Sequence, residues 1–532
     1  MVRLPSSISG RSDVRRWLLN IGSGYAEAAV AGAIYVVLTP VLISRLGTEA
    51  FAVWLVSNAI TFYLGFLDLG FGEAQVRLHA RFAAVGRTAL IKRLLATTSI
   101  SLTLAGVMAA VIGLTFALGA PTSWLELSSD LEADFRIVLG ILAVNCLIAF
   151  PASTLESVYE GAQRYDLLNA RGIGLRVVEA VLQAALVLQG HGVIVLAAVD
   201  LATTCLGLMI DLILVNRLVP GLINIPLRFD ARLWRRIRPF ALWASIDEIL
   251  AEGTENLDEI LIAILLPLVL LTPYAVSLAL GGVVLIAVRP IIDTFFPLAA
   301  GLHAQKRDSD IARLLFAGSK MALVIAAPLA IFLAVFGESV LRLWIPDVAG
   351  KASSVLLAIL VINYLFSAYL WTSTIILMAV NRIRLIVLLT VAEIALELIL
   401  IVVLAPRFGL IGVAVAGLCA NVGVGAAIEL PIVARMLRTG VGEFVGATLG
   451  RSVIACVPAL IVALVLRHAT DTPGWPFLTG AAFALATAGL VGFVLFGTTL
   501  TERVQLREAW RELRGGAPIA ESISPDSGRP QP

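Results

Sequence analysis

The sequence predicts an all-α polytopic membrane protein with about 14 transmembrane helices. Three observations support this fold class: the composition, the number of long apolar runs, and the distribution of basic residues between those runs. Of the 532 residues, 59% are hydrophobic and 14% are charged, and the mean hydropathy is +0.96. Soluble domains carry about 25% charged residues, so most of this chain is expected to lie in a bilayer.

The apolar runs have the length that a bilayer requires, since a hydrocarbon core of about 30 Å needs about 20 residues of helix. The first run is too long for a removed signal peptide and has no small-residue cleavage site, so we interpret it as a span. The fourteen predicted spans are 19–45, 49–69, 94–119, 137–157, 172–190, 192–216, 239–267, 272–302, 314–336, 353–380, 384–405, 409–434, 450–467 and 475–499.

The basic residues test this count independently, because cytoplasmic loops of membrane proteins are enriched in Lys and Arg. With the N-terminus in the cytoplasm, 32 of the 39 basic residues fall in cytoplasmic segments, six fall outside, and Arg289 lies within a span. A missed span would invert the pattern beyond the error. We therefore expect a multi-pass protein of the cytoplasmic (inner) membrane with both termini in the cytoplasm.

Other classes are excluded by charge and by cysteine usage. A net charge of +2, without a basic tail, argues against a nucleic-acid partner. The four cysteines lie inside apolar runs and show no CxxC or Cys/His spacing, so no metal site is predicted. We find no Walker-type phosphate loop and no nucleophile elbow, and therefore expect neither an enzyme nor a cofactor.

Two pairs of segments within the chain are similar in sequence, and the members of each pair are roughly 220 residues apart. "LHARFAAVGRTALIKRLL" (78–95) resembles "LHAQKRDSDIARLL" (302–315), and "HGVIVLAAVDLA" (191–202) resembles "FGLIGVAVAGLCA" (408–420). This internal similarity predicts that spans 1–6 and 7–12 are structural repeats with the same orientation. The predicted domains are a cytoplasmic tail at 1–18, a six-helix bundle at 19–216, a basic cytoplasmic linker at 217–238, a second six-helix bundle at 239–434, spans 13 and 14 at 450–499, and a cytoplasmic amphipathic helix with a disordered tail at 500–532.

The loop after span 2 is basic and amphipathic. Arg77 and Arg81 are four residues apart and share a helical face, while Val76, Leu78 and Phe82 form an apolar side that we expect to contact lipid. The alternative is a loop that serves only as a topological anchor.

Several short stretches resemble one known family. They are "LDLGFGEAQVR" (67–77), "GAQRYDLLNARG" (161–172), "FGESVLRLWIP" (336–346), "ILMAVNRIRL" (376–385) and "FGLIGVAVAG" (408–417). In order and position, they are similar to segments of the polysaccharide transporters, the Wzx-type lipid-linked oligosaccharide flippases of the multidrug/oligosaccharidyl-lipid/polysaccharide superfamily. The resemblance covers roughly residues 15–500. It implies two six-helix bundles, spans 1–6 and 7–12, around a central cavity lined mainly by spans 1, 2, 7 and 8, plus two extra helices.

Charges within spans are the candidate site residues, because they are costly in hydrocarbon and usually face protein or water. In span 7, Glu248, Glu252, Glu255 and Glu259 are spaced by four, three and four residues, which places them on one helical face. Asp247 and Asp258 lie on the flank of that face. We expect this stripe to line the cavity and to bind substrate or a coupling ion; the alternative is a solvated helix end.

Span 8 carries Arg289 next to Pro290, followed by Asp293 and Pro297. A guanidinium can bind an anionic head group such as a diphosphate through its planar donor fork. A structural ion pair with span 7 is the alternative. The remaining candidates are Glu27, which faces either the cavity or the cytoplasmic surface, and Tyr63 and Trp243, which either contact sugars or only pack.

The resemblance implies a flippase that moves a polyprenyl-diphosphate-linked oligosaccharide across the cytoplasmic membrane by alternating access, for cell-surface polysaccharide synthesis. Its partners are then the lipid-linked oligosaccharide, membrane lipids, and a glycan polymerase or glycosyltransferases of the same pathway, and coupling to H+ or Na+ stays open. The alternatives are a multidrug-type cation exporter of the same superfamily and a peptidoglycan-precursor flippase. A glycan polymerase or ligase fits less well, because the longest extracytoplasmic loop has only about 17 residues.

The charge distribution makes a prediction about topology. A cysteine placed at Ser128 should react with an impermeant thiol reagent added to intact cells, whereas a cysteine at Ala84 should react only after the cells are lysed. The reverse labelling would contradict the orientation, and with it the direction of transport.

Overall fold

The computed structural model describes residues 11–68, 75, 78–79, 82, 88–119, 127–162, 164–218, 228–235, 256–292, 295–348, 351–469 and 473–497. All regular secondary structure in these ranges is helical. The all-α fold class predicted from the sequence is therefore confirmed.

Fifteen helices make up most of the described chain. They are α1 Arg11–Leu46, α2 Thr48–Gly65, α3 Thr88–Gly119, α4 Ser129–Gly161, α5 Tyr165–Leu188, α6 Ile194–Leu218, α7 at residues 256–265, α8 Leu271–Ile292, α9 Phe295–Ala304, α10 Asp308–Trp344, α11 Lys351–Ala379, α12 Ile383–Phe408, α13 Leu410–Met436, α14 Val441–Ala469 and α15 Trp475–Gly497. The last three include wider π-helical turns at Gly425–Glu429, Gly446–Gly450 and Phe493–Gly497.

In the described part of the chain, eleven helical segments are long and apolar enough to cross a membrane. Helices α2 and α5 coincide with predicted spans 2 and 5, and α7 is the end of predicted span 7. The remainder of span 7 lies outside the described residues. Each of the fourteen predicted spans thus has a helical counterpart, and the protein is a multi-pass membrane protein.

The chain forms two compact units. The first comprises Met1–Leu280, Val340–Leu360 and Val387–Ala420, and the second comprises Gly281–Ser339, Val361–Ile386 and Asn421–Pro532. The domain boundaries given above from the sequence stay a prediction.

In the first unit, a partly buried ion network joins three helices. Arg171 of α5 contacts Glu156 of α4 and Asp211 of α6, each at 2.6 Å. The Tyr159 hydroxyl donates to Asp211 at 3.1 Å, and Asp211 is fully buried. Because a buried charge is tolerated only when it is paired and hydrogen-bonded, this network fixes how α4, α5 and α6 pack.

The described residues of the loop after α2 contact the protein interior. Leu78 and Phe82, which were expected to contact lipid, are partly buried and pack on one side against buried residues of α3 and α4. Gln75 is buried and donates to the Thr154 carbonyl at 2.9 Å and to Ser157. His79 is buried too, and burial lowers the pKa of its imidazole. These four described residues therefore contact protein core, and the basic residues Arg77, Arg81 and Arg87 lie outside the described residues.

In the second unit, aromatic and hydroxyl groups connect α11 with α14. The Tyr369 hydroxyl lies 2.9 Å from the Thr448 hydroxyl, and its ring lies 6.0 Å from the Phe444 ring. The Ser373 hydroxyl of the same helix donates to Glu429, in the wide turn of α13. Wide turns of this kind occur often at functional sites, and here one of them presents a carboxylate to a hydroxyl of a neighbouring helix.

Candidate functional site

The structure describes part of the predicted site. Arg289, Glu27, Tyr63, Asp258 and Glu259 lie within the described residues. The other predicted site residues lie outside them, and their roles stay predictions: Trp243, Asp247, Glu248, Glu252, Glu255 and Asp293.

Arg289 is held by an aromatic ring. Its guanidinium carbon lies 4.4 Å from the centre of the Trp371 ring of α11, which is within the range of cation–π attraction. Tyr364, two turns earlier on α11, lies beside Gly282 of α8. Arg289 itself is exposed, in the last turn of α8, where the helix dipole favours a cation. The side chain is therefore oriented while its donors stay accessible to an anion.

Asp258 and Glu397 are acids inside the helical part of the first unit. Asp258 of α7 is 7% exposed and accepts a hydrogen bond from the Tyr274 hydroxyl of α8. Glu397 of α12 is 8% exposed, and the charges of Asp258 and Glu393 act on it. Burial of these carboxylates carries a desolvation cost, which the hydrogen bond from Tyr274 offsets for Asp258.

Glu259 and Tyr63, two further predicted residues, belong to the same region. The charge of Glu259 acts on the phenols of Tyr35 and Tyr63, and the charge of Asp258 also acts on Tyr63. The Tyr63 ring packs at 5.7 Å from the Phe62 ring and at 5.8 Å from the Phe66 ring. The structure thus brings Tyr63 near both acids of α7, while packing on one side fixes its ring.

Glu393 and Glu397 are candidate site residues that the sequence analysis did not name. A signal was present, because two acids four residues apart in "VAEIALELI" stand in an otherwise apolar span and share one helical face. The stretch was passed over because it has only two acids, whereas span 7 has six. Glu397 becomes a candidate through its position in the fold, because the charge of Asp258 acts on it.

Glu27, the candidate in α1, forms an ion pair with Arg176 of α5 at 3.5 Å. Polar groups within α4, α5 and α6 are also paired. Asn145 donates to Asp200 at 2.8 Å, and Gln183 donates to Glu179 at 3.1 Å. Glu27 therefore contacts α5.

The backbone of α1 is bound by a side chain from the end of α10. The Trp344 indole N–H donates to the Val36 carbonyl at 2.7 Å, and its ring lies 6.1 Å from the Tyr35 ring. In an α-helix the Val36 carbonyl would accept from the N–H four residues later, but Pro40 has no N–H. Trp344 thus supplies the donor that the proline removes.

Metal binding has no visible site in the described part of the chain: no group of three His, Cys, Asp or Glu side chains there could hold a metal ion. The chemistry at hand is a guanidinium with aromatic rings in the second unit, and carboxylates with phenols in the first.

Residues 87–347 match a family model described as "Polysaccharide biosynthesis protein". A search of curated proteins found no match. The match covers the chain from before α3 to the end of α10. It confirms the resemblance to polysaccharide transporters that the sequence motifs indicated.

Solved structures with similar folds are those of transporters and of a flippase. The lipid II flippase MurJ in an inward closed conformation has a TM-score of 0.67 at 12% identity, over 93% of this chain and 100% of that chain. An inward-facing multidrug resistance MATE transporter of the MOP superfamily has a TM-score of 0.63 at 14% identity, over 76% and 94%. The MATE transporter DinF-BH, solved in complex with rhodamine 6G, has a TM-score of 0.53 at 15% identity, over 82% and 97%. At these identities the likeness establishes the fold.

Proposed function

We propose that the protein is a flippase that carries a polyprenyl-diphosphate-linked oligosaccharide from the cytoplasmic to the outer leaflet of the cytoplasmic membrane. The observation that carries this proposal is the match of residues 87–347 to the polysaccharide biosynthesis family. The fold shared with a lipid II flippase supports it, because that protein also acts on a lipid-linked precursor. The pathway would then supply the partners, namely glycosyltransferases before transport and a glycan polymerase after it.

Arg289 and Trp371 fit such a substrate. A polyprenyl diphosphate presents two adjacent phosphates, and a guanidinium binds phosphate through parallel N–H donors. Arg289 lies about 27 Å along the helix from Leu271, close to the far side of a hydrocarbon core of about 30 Å. In the predicted topology that side is cytoplasmic, where the head group would enter.

The contact between Trp344 and Val36 supports alternating access. Both residues belong to the first unit, and in the predicted topology the end of α10 lies at the extracytoplasmic surface. A second contact of the same kind is the hydrogen bond from the Thr272 hydroxyl of α8 to the Thr48 carbonyl of α2 at 2.7 Å. We infer that these two contacts between helices of the first and second repeats form an outer gate in its closed state.

One observation favours a second candidate, a cation exporter of the same superfamily. Asp258 and Glu397 are buried acids, and a neighbouring MATE transporter has been solved in complex with rhodamine 6G. A peptidoglycan-precursor flippase is a third candidate, from the likeness to MurJ. A transport assay that offers lipid-linked oligosaccharide, lipid II and rhodamine 6G separately distinguishes the three.

The first functional prediction concerns Arg289. Proteoliposomes containing the protein should flip a lipid-linked oligosaccharide, and Arg289→Ala should reduce the rate by roughly tenfold to 100-fold, as expected for losing about 1.5–3 kcal/mol of charged hydrogen bonding. Arg289→Lys should restore little, because an ammonium lacks the planar fork. Arg313→Ala, at an exposed arginine of α10, is the control. Flipping by Arg289→Ala at the wild-type rate would contradict phosphate capture, and flipping of lipid II or rhodamine 6G alone would contradict the proposed function.

The second prediction concerns the outer gate. Trp344→Phe keeps a ring beside Tyr35 but leaves the Val36 carbonyl without its donor, which costs about 1 kcal/mol, or roughly fivefold in the closed-to-open ratio. A cysteine at the buried position Thr39 should then react several times faster with an impermeant thiol reagent from outside.

The control for this prediction is Pro40→Ala, which returns an N–H to α1 for the Val36 carbonyl. In that background Trp344→Phe should change the labelling rate little. An equal effect of Trp344→Phe in both backgrounds would mean that the hydrogen bond is not what holds the gate.

The third prediction is that the acids of span 7 couple transport to a cation gradient. Carboxylates on one face of a helix in a medium of low dielectric constant cannot all stay ionised, so they should bind protons or a cation. Glu252→Gln combined with Glu255→Gln should preserve folding but abolish gradient-driven accumulation. Glu132→Gln, at a half-exposed acid at the start of α4, is the control. If the double variant responds to collapse of the proton and sodium gradients as the wild type does, the coupling role is wrong.

A further inference from the structure

Helices α1 and α5 approach closely at one end and leave a groove at the other. At the close end, the Asn169 side chain donates to the Ser23 hydroxyl at 3.0 Å, and a Cβ on Gly24 would lie 3.7 Å from that amide. A Cβ on Gly172 would lie 3.1 Å from a Glu27 carboxylate oxygen. Small residues and polar contacts thus bring the two helices together near Glu27, at the end that the topology places towards the cytoplasm.

Beyond this contact the facing stripes of α1 and α5 are wholly apolar. The residues recur at helical spacing, so each set forms one face. The two stripes line an open groove of about 380 Å³, a volume within the range of ligand pockets, about 300–1,000 Å³. The lining consists of Val30, Ala33, Ile34, Val37, Leu38 and Val41 of α1 and Val177, Ala180, Val181 and Ala184 of α5.

The volume decides what kind of occupant fits. The groove extends along α1 from Val30 to Val41, about 17 Å, and a helix of that length and 10 Å diameter would occupy about 1,300 Å³. A whole helix would not fit within this volume, whereas a single hydrocarbon chain is narrow enough to lie within it. Val37 is 69% exposed and Val181 is 61% exposed, so a chain can enter from the bilayer.

A cation lies at the close end of the groove. Arg176 precedes Val177, and its side chain is 55% exposed. Among the described residues its ion-pair partner is Glu27, at 3.5 Å through one nitrogen, whereas a guanidinium has five N–H donors. An exposed pair at that distance contributes little stability. Arg176 therefore has donors for a phosphate at the end of the groove where the cytoplasmic leaflet begins.

We propose that this groove, lined by α1 and α5 and ending at Arg176, holds the isoprenoid tail of a polyprenyl phosphate lipid, with the phosphate at Arg176. The proposal rests on the proposed function, because the flippase substrate is what brings such a tail to the protein. It adds a place for the part of the substrate that need not leave the bilayer. The tail would wait against α1, one of the helices that the family resemblance assigns to the cavity wall.

Photo-crosslinking tests the proposal without any transport step. The protein, with benzoylphenylalanine at Val181, is placed in vesicles of phosphatidylethanolamine and phosphatidylglycerol that contain one mole per cent of polyprenyl monophosphate, and adducts are identified by mass spectrometry. Leu182, the next residue on α5 and also exposed to the bilayer, is the matched control. We expect polyprenyl adducts at Val181 to exceed the mole fraction of the lipid at least tenfold, and those at Leu182 to follow it. Phospholipid adducts alone, or equal enrichment at both positions, would overturn the proposal.

Two pairs of variants complete the test. Ala184→Trp fills the groove and should remove the enrichment at Val181, whereas Ala185→Trp, next on the same helix and outside the lining, should not. Arg176→Gln should reduce the enrichment several-fold, and Arg176→Lys should retain most of it. If polyprenyl phosphate is not enriched in a protein that flips lipid-linked oligosaccharide, this inference fails and the proposed function stands. If the wild type flips no lipid-linked oligosaccharide, the proposed function fails whatever the adducts show.

Discussion

The need to pair every backbone hydrogen-bonding group inside hydrocarbon governs this structure. No water is present in the bilayer core to replace a missing partner, so the chain crosses it as helices. Pro40 shows the cost of an exception and its remedy. It removes the N–H that the Val36 carbonyl would use, and the Trp344 indole from α10 replaces it at 2.7 Å. A defect in one helix thereby becomes a specific contact with another, which is how a proline inside a span can serve a gate.

Charged side chains in the bilayer core also need partners, and leaving a charge unpaired there costs more free energy than leaving a backbone group unpaired. Asp211 is fully buried and is bound by Arg171 and by the Tyr159 hydroxyl. A network satisfied in this way fixes the packing of its helices. Asp258 and Glu397 differ from Asp211, because the charge of Asp258 acts on Glu397, a group whose charge has the same sign. Asp258 accepts a hydrogen bond from the Tyr274 hydroxyl. The structure thus contains intramembrane charges in two settings: Asp211, which is paired with a guanidinium, and the buried acids Asp258 and Glu397, for which ion coupling stays a prediction.

The sequence predicted the fold more fully than the site, for a physical reason. Bilayer thickness sets the length of a span, and basic residues set its direction. Each helix can therefore be predicted from its own stretch of sequence, and every predicted span has a helical counterpart. Site geometry depends on contacts between distant segments. Arg289 was named as a candidate because a charged side chain within a span costs free energy in hydrocarbon. Nothing in the sequence indicated that Trp371 would contact it. Leu78 and Phe82 were expected to contact lipid, and their packing against α3 and α4 had no sign in the sequence, because an apolar face can be buried against protein as well as against lipid.

Helix α1 connects the features that the proposed function requires. Its Val37 side chain lines the groove against α5, and the adjacent Val36 carbonyl is held by Trp344. Both contacts therefore act on one turn of one helix. Any ligand in the groove that binds more tightly when the Trp344 bond is broken must shift the gate by that difference in binding free energy, and the state of the gate must change the ligand's affinity by the same factor. A substrate tail in the groove can thus influence opening through α1, and Pro40 makes that turn depend on a donor from another helix.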